Sequence, residues 1–207
     1  MYLLLFPLGA FGIIYVPSAI IVPGDVTATI ENIRTHESLF RLSIVSAFLV
    51  QIVNMGVALC LYRLLKPVNK ISAIMMLGFI LAAVPLAMLN ELNNFSVLIL
   101  LRETEPSTML LSLFLDLHEH GVMIAGIFWG LWLFPMGHLI YKSGFLPKFL
   151  GVLLMIGCFG YLLDSFIFFL NPEFGFKFAG FLFIGELTLP LWLLAKGVNT
   201  ERWNALK

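Results

Sequence analysis

Apolar residues run along this chain in long blocks parted by short polar stretches, and the blocks set the expected architecture. A bilayer core of about 30 Å is crossed by roughly 20 apolar helical residues. Six segments meet that length: 1–22, 39–65, 71–92, 118–141, 149–170 and 176–194. The first closes at Pro23-Gly24 and the second in the basic turn Lys66-Pro67-Val68-Asn69-Lys70. Pro85 lies inside the third and predicts a kink there, because it removes a backbone donor. Asp25 to Glu37 is polar, with Asp25 placed to cap a short helix through Thr27-Ala28-Thr29-Ile30, an interfacial segment at most. Asn93–Thr108 is mixed in character and reads as a connection. Ser107 then opens a segment of about 35 residues, too long for one crossing. It is either a short outer helix over 108–117 feeding a span from His118, or one long tilted helix projecting beyond the membrane. Gly126, Gly130, Gly137, Gly151, Gly157 and Gly160 fall inside helical blocks and read as close helix contacts. The aromatic run Phe128-Trp129-Gly130-Leu131-Trp132 reads as lipid-facing packing. The prediction is an all-α membrane protein: a single bundle of six transmembrane helices, with short outer interfacial helices as an accompaniment.

Composition agrees. Apolar residues make up 60% of 207 positions and charged residues 12%, with mean hydropathy +1.00. A soluble domain carries about 45–50% apolar and about 25% charged residues, and a water-soluble fold of this size could not hide the surplus. Membrane lipids are therefore the expected surroundings. Formal net charge is zero and like charges form no run, so nothing points to nucleic acid. Cys60 and Cys158 stand far apart in apolar segments, outside any ligand spacing, and read as two small core residues. The first block lacks a basic lead and a small-residue cleavage site, so it is expected to be a retained span. Its abrupt start at Met1 fits the loss of a short polar lead upstream.

Lysine and arginine set the expected orientation. Arg63, Lys66, Lys70, Lys142, Lys148, Lys196, Arg202 and Lys207 fall on one side, against Arg34, Arg41, Arg102 and Lys177 on the other. Eight against four places both termini in the cytoplasm.

Charge changes the picture most where it enters the spans, because each ionised group there costs at least ~2.5–3.5 kcal/mol. The candidates are Glu91, Asp116, His118, Glu119, His120, His138, Asp164 and Glu186. With the expected orientation, four helices present an acid or imidazole to the outer half of one bundle, and His138 alone lies near the cytoplasmic face. Asp116 and His120 are four apart on one helical face with Glu119 beside them, while His118 points the other way. The expectation is a polar pocket lined by Glu91, Asp116, Glu119, His120, Asp164 and Glu186, taking a small molecule or lipid. Two alternatives share those residues. One is a metal-dependent intramembrane enzyme acting on a lipid-like substrate, with Asp116, His120, Asp164 and Glu186 as candidate ligands of a divalent metal. The other is a proton-coupled carrier in which Asp164 and Glu186 cycle protons. Against all three stands the bland account, in which each acid is tied to a hydroxyl or amide on a neighbouring helix. Gln51 and Asn54 read as interhelical glue. Oligomeric state is left open.

Several stretches together resemble a known family. They are Val22-Pro23-Gly24-Asp25, Leu61-Tyr62-Arg63-Leu64-Leu65-Lys66-Pro67-Val68-Asn69, Gly160-Tyr161-Leu162-Leu163-Asp164-Ser165, and the run from Tyr141 through Ser143-Gly144-Phe145-Leu146-Pro147 to Leu154. They resemble the bacterial membrane proteins grouped as the DUF4386 domain family, over Pro23 to Ser165 and outward toward the whole chain. The resemblance implies a six-span-like bundle in a bacterial cytoplasmic membrane. It carries over no catalytic residue. The short basic lead usual in the family is absent before Met1.

Overall fold

The computed structural model describes residues 2–206, apart from the side chain of Phe181; Met1 and Lys207, ends of the first expected span and of the basic tally, lie outside the described residues. The described residues are helical, with no strand among them. In chain order the helices are α1 (Tyr2–Ile20), α2 (Val26–Thr35), α3 (Glu37–Leu65), α4 (Lys70–Leu100), α5 (Thr108–Ser143), α6 (Lys148–Leu170), α7 (Ala179–Leu182), α8 (Ile184–Ala195) and α9 (Thr200–Asn204). Five of these, α1, α3, α4, α5 and α6, are long and apolar enough to cross a membrane. Their outward residues fit that role: Met109 is 83% and Leu170 85% exposed, and Ile13, Ile71 and Leu89 are exposed too. In water such surface would cost about 25 cal/mol for each Å²; against acyl chains it costs nothing comparable.

The boundaries depart from expectation in four places. α4 runs on to Leu100, eight residues past the expected end at Leu92, so the first part of the expected connection is helix. Its polar residues satisfy themselves locally: Asn93 Nδ2 donates to Asn90 Oδ1 (2.9 Å), and Ser96 Oγ donates to the Leu92 carbonyl (2.8 Å). α5 is one unbroken helix of 36 residues, which selects the long-helix alternative over a separate outer helix. α2 is longer than expected, and its Ile30 and Ile33 are buried in protein. The segment 176–194, expected as a single helix, is in two pieces parted at Phe183, and residues 171–178 ahead of it are not helical. At 12 residues α8 is about 18 Å long.

α1 contains two prolines, Pro7 and Pro17, and a widened turn over Ala10–Tyr15 just before the second. A proline ring clashes with the carbonyl four residues back, and a wide turn makes room for it.

The chain forms two compact units. Unit one comprises Leu3–Asn54 and Val84–Val122; unit two comprises Met55–Ala83 and Met123–Lys207, together with Tyr2. In unit one, Val16 and Ile20 of α1 pack with Ile30 and Ile33 of α2, Phe40 and Ile44 of α3, Val97 and Leu98 of α4, and Leu111 of α5. α2 is pinned there by polar bonds: Asp25 caps it by accepting from the Ala28 N–H (2.8 Å), Thr29 Oγ1 accepts from the Val22 N–H (2.9 Å), and Asn32 Nδ2 donates to the Ile20 carbonyl (3.0 Å). Ser46 Oγ donates to the Leu8 carbonyl (2.9 Å), tying α3 to α1.

Unit two is built on the second half of α5, whose Leu133, Met136, Leu139 and Ile140 are fully buried. Trp132 is buried as well, and Phe128 and Trp129 are half-buried, so the aromatic run is interior packing and not the lipid face expected for it. Glycine permits the closest approach in this unit. A Cβ on Gly137 would lie 2.5 Å from the Gly151 carbonyl oxygen, so α5 and α6 touch backbone to backbone there, as the sequence led us to expect. Of the two cysteines, Cys158 is buried as expected, whereas Cys60 is exposed.

Candidate functional site

The six candidate pocket residues divide between the units. Glu91, Asp116, Glu119 and His120 belong to unit one; Asp164 and Glu186 belong to unit two.

In unit one, Glu91 is buried on α4 and both its carboxyl oxygens are engaged. Oε1 lies 3.1 Å from His118 Nε2 on α5, and Oε2 accepts from Asn94 Nδ2 at 3.0 Å. The same faces make a second bond, Asn90 Nδ2 donating to the His118 carbonyl at 2.8 Å. Gly121 makes room for it, since a Cβ there would overlap the Asn90 amide. His118 was not among the expected pocket residues. Its position on the opposite face from Asp116 and His120 counted against it, yet that face is the one that meets α4. Asp116, Glu119 and His120 are exposed. Asp116 Oδ2 accepts a long bond from Ser112 Oγ (3.5 Å), and His120 Nδ1–H donates to the Asp116 carbonyl (2.7 Å), which fixes the tautomer. Asp116 and His120 thus meet through ring and backbone.

In unit two, Asp164 on α6 uses both oxygens on backbone. Oδ1 accepts from the Phe178 N–H (2.6 Å) and Oδ2 from the Ala179 N–H (2.9 Å). Those N–H groups open α7 and have no partner inside the helix, so the carboxylate replaces the missing acceptors. Glu186, in the first turn of α8, is different. Its Oε1 is enclosed and has no hydrogen-bond partner, while the Tyr161 hydroxyl of α6 hydrogen-bonds to the carboxyl group. Tyr2 lies within electrostatic range of Glu186, and its own hydroxyl is enclosed without a partner. The indole N–H of Trp129 is enclosed and unpartnered too. Neither Tyr2 nor Tyr161 stands out in the sequence as a pocket residue, because an aromatic in an apolar block reads as packing.

Among the described residues no three or more His, Cys, Asp or Glu side chains gather as a metal ion would require.

The comparisons with known proteins bear on the whole chain. The family described as "Domain of unknown function (DUF4386)" matches residues 1–197. This chain belongs to the DUF4386 family. The match reaches well past the Pro23–Ser165 stretch that carries the resemblance, and takes in Glu186 and α8. The DUF4386 chain is also similar to an "Uncharacterized protein" of Archaeoglobus fulgidus, 32% identical over 157 residues, which is 75% of this chain and 83% of the relative. That similarity reaches into the archaea. No solved structure matches. Family membership, the apolar helices and the exposed apolar surface together make it an integral membrane protein.

Proposed function

We propose that this DUF4386 protein binds a small molecule bearing N–H or O–H donors, inside unit two, with Glu186 as the central acceptor. The observation that carries the reading is the enclosed, unpartnered Oε1 of Glu186. A buried polar atom left unpaired costs about 1–3 kcal/mol, and a donor on a bound ligand removes that cost. Tyr161 holds the carboxyl group from one side, and the unpartnered Tyr2 hydroxyl offers a second contact. Asp164 serves as a positioning residue: by capping Phe178 and Ala179 it holds the segment that leads into α8. Glu91 is structural in this reading, and Asp116, Glu119 and His120 form an exposed polar rim of unit one.

The remaining expectations enter the proposal with it. The chain crosses a cytoplasmic membrane six times, the sixth crossing being residues 176–194, and both termini face the cytoplasm. A fluorescent protein fused after Lys207 would then glow and an alkaline phosphatase there would stay inactive; the reverse result overturns the orientation.

The ligand reading is tested by thermal unfolding of the purified protein in nanodiscs against panels of small amines, amides and polyols. One class should raise the midpoint of the wild type, and Glu186→Gln should abolish that rise while Glu91→Gln keeps it. No rise with any class, or an equal rise in Glu186→Gln, would overturn the reading.

A further inference from the structure

A second site lies in unit two at the polar ends of its helices, and it is independent of Glu186. The loop Gly144–Pro147 after α5 and the stretch from Trp192, near the end of α8, to Asn199 line an open cleft of about 380 Å³, with Lys196 and Arg202 on its wall. Two left-handed glycines, Gly144 (φ 69°) and Gly197 (φ 66°), turn the backbone on either side of it. Two long-range bonds lock the turns together, and a third ties α9 to the end of α3. The Asn199 N–H donates to the Phe145 carbonyl (3.1 Å), an Arg202 guanidinium N–H donates to the Gly144 carbonyl (2.9 Å), and Trp203 Nε1–H donates to the Leu64 carbonyl (2.9 Å). The cleft is therefore held open by bonds in the native fold and does not depend on a flexible tail.

Its chemistry is cationic. Neither Lys196 nor Arg202 takes part in an ion pair among the described residues, where the pairs are Arg41 with Glu37 and His118 with Glu91. Arg202 commits one N–H to Gly144 and keeps others of its five donors for an anion. Lys148, nearby in sequence, lies over the Tyr141 ring instead. Glu201 is the acid in this segment; it is exposed and not on the cleft wall.

An aromatic pair stands beside the cations. Trp192 lines the cleft and meets the exposed Phe149 edge-on, ring centres 5.8 Å apart. Tryptophan beside cations at the end of an apolar helix is the chemistry of the membrane interface. On the orientation proposed above this end faces the cytoplasm, where basic pockets at helix ends suit phosphate headgroups, and 380 Å³ falls in the range of about 300–1,000 Å³ used for small ligands. A free phosphate would use the cations and leave the aromatic pair Trp192 and Phe149 without purpose. An acidic phospholipid uses both.

We propose that this cleft binds the phosphate-bearing headgroup of an acidic phospholipid, through Lys196 and Arg202, with the acyl chains leaving past Trp192 and Phe149. Native mass spectrometry of the full chain in mild detergent, titrated with phosphatidylglycerol or phosphatidylcholine, tests it. Phosphatidylglycerol should bind in preference, and Lys196→Gln/Arg202→Gln should weaken it about thirtyfold while Lys70→Gln leaves it unchanged. Should the double variant fail to fold, Lys196→Gln alone changes an exposed side chain and should still give a clear loss. Equal binding of both lipids, or phosphatidylglycerol binding untouched by these substitutions, overturns the proposal. So does displacement of the lipid by millimolar inorganic phosphate, which would make the anion the ligand.

Discussion

Each unit encloses a glutamate, and the two are treated in opposite ways. Glu91 in unit one has a partner for each oxygen, His118 and Asn94. Glu186 in unit two has the Tyr161 hydroxyl and an oxygen that meets nothing. The same residue type inside apolar helices therefore carries two meanings. A carboxyl group with its partners in place links helices and is finished as a piece of structure. One with an acceptor left over is, on the function proposed above, waiting for a donor from outside the chain. The accounting of donors and acceptors is what separates the two.

The largest effect should come from breaking the finished pair. His118→Ala leaves Glu91 Oε1 without a partner in a place with little water, and we expect a loss of about 3 kcal/mol in unfolding free energy. Replacing both members, Glu91→Leu with His118→Leu, should recover most of it, since the penalty belongs to the stranded acid and not to a missing attraction. Unfolding in sodium dodecyl sulfate, followed by circular dichroism, measures both. If the single variant matches the wild type, Glu91 is not structural and the contrast between the units collapses.

Asp164 sharpens the comparison from inside unit two, as an acid that is finished there. Asp164→Ala removes the acceptor from two backbone N–H groups, those of Phe178 and Ala179, at an expected cost of about 2 kcal/mol. Asp164→Asn keeps one acceptor and should cost less. Hydrogen exchange over residues 176–183 should speed up in the alanine variant while Asn90 and its neighbours on α4 stay protected. Unchanged exchange there would mean that the cap does not hold the segment leading into α8.

Most of the long helices were legible in the sequence because an uninterrupted apolar run of that length has one good solution in lipid. What was not legible is what depends on a partner. Asn93, Asn94 and Ser96 look like a loop by composition, yet α4 continues because each bonds to a residue three or four back on its own helix. The start of α7 is capped by Asp164, which comes from α6, and no local signal at 176–183 announces it. His118 was set aside by helical face, and the face it shares with α4 becomes visible only once the helices are packed. Within the candidate site the acids were legible, since a charge in an apolar block stands out. Their aromatic companions Tyr2 and Tyr161 were not, because nothing in a one-dimensional pattern separates a packing aromatic from one whose hydroxyl faces an acid.

The smallest effect on stability should come from Glu186, and its smallness is the informative part. Glu186→Leu removes an enclosed acceptor that has no partner and leaves only the Tyr161 hydroxyl to find another. Losing one ordinary hydrogen bond costs about 1 kcal/mol, and relieving an unpaired buried oxygen returns about as much. The variant should therefore unfold within about 1 kcal/mol of the wild type, or later than it, when no ligand is added. A residue kept for binding commonly has this signature, because the free site is not the most stable arrangement of the chain. The measurement is the same detergent unfolding used for His118→Ala, so the two glutamates are compared on one scale. A loss as large as that of His118→Ala would show that Glu186 is as fully committed to the fold as Glu91, and the pocket would lose its centre.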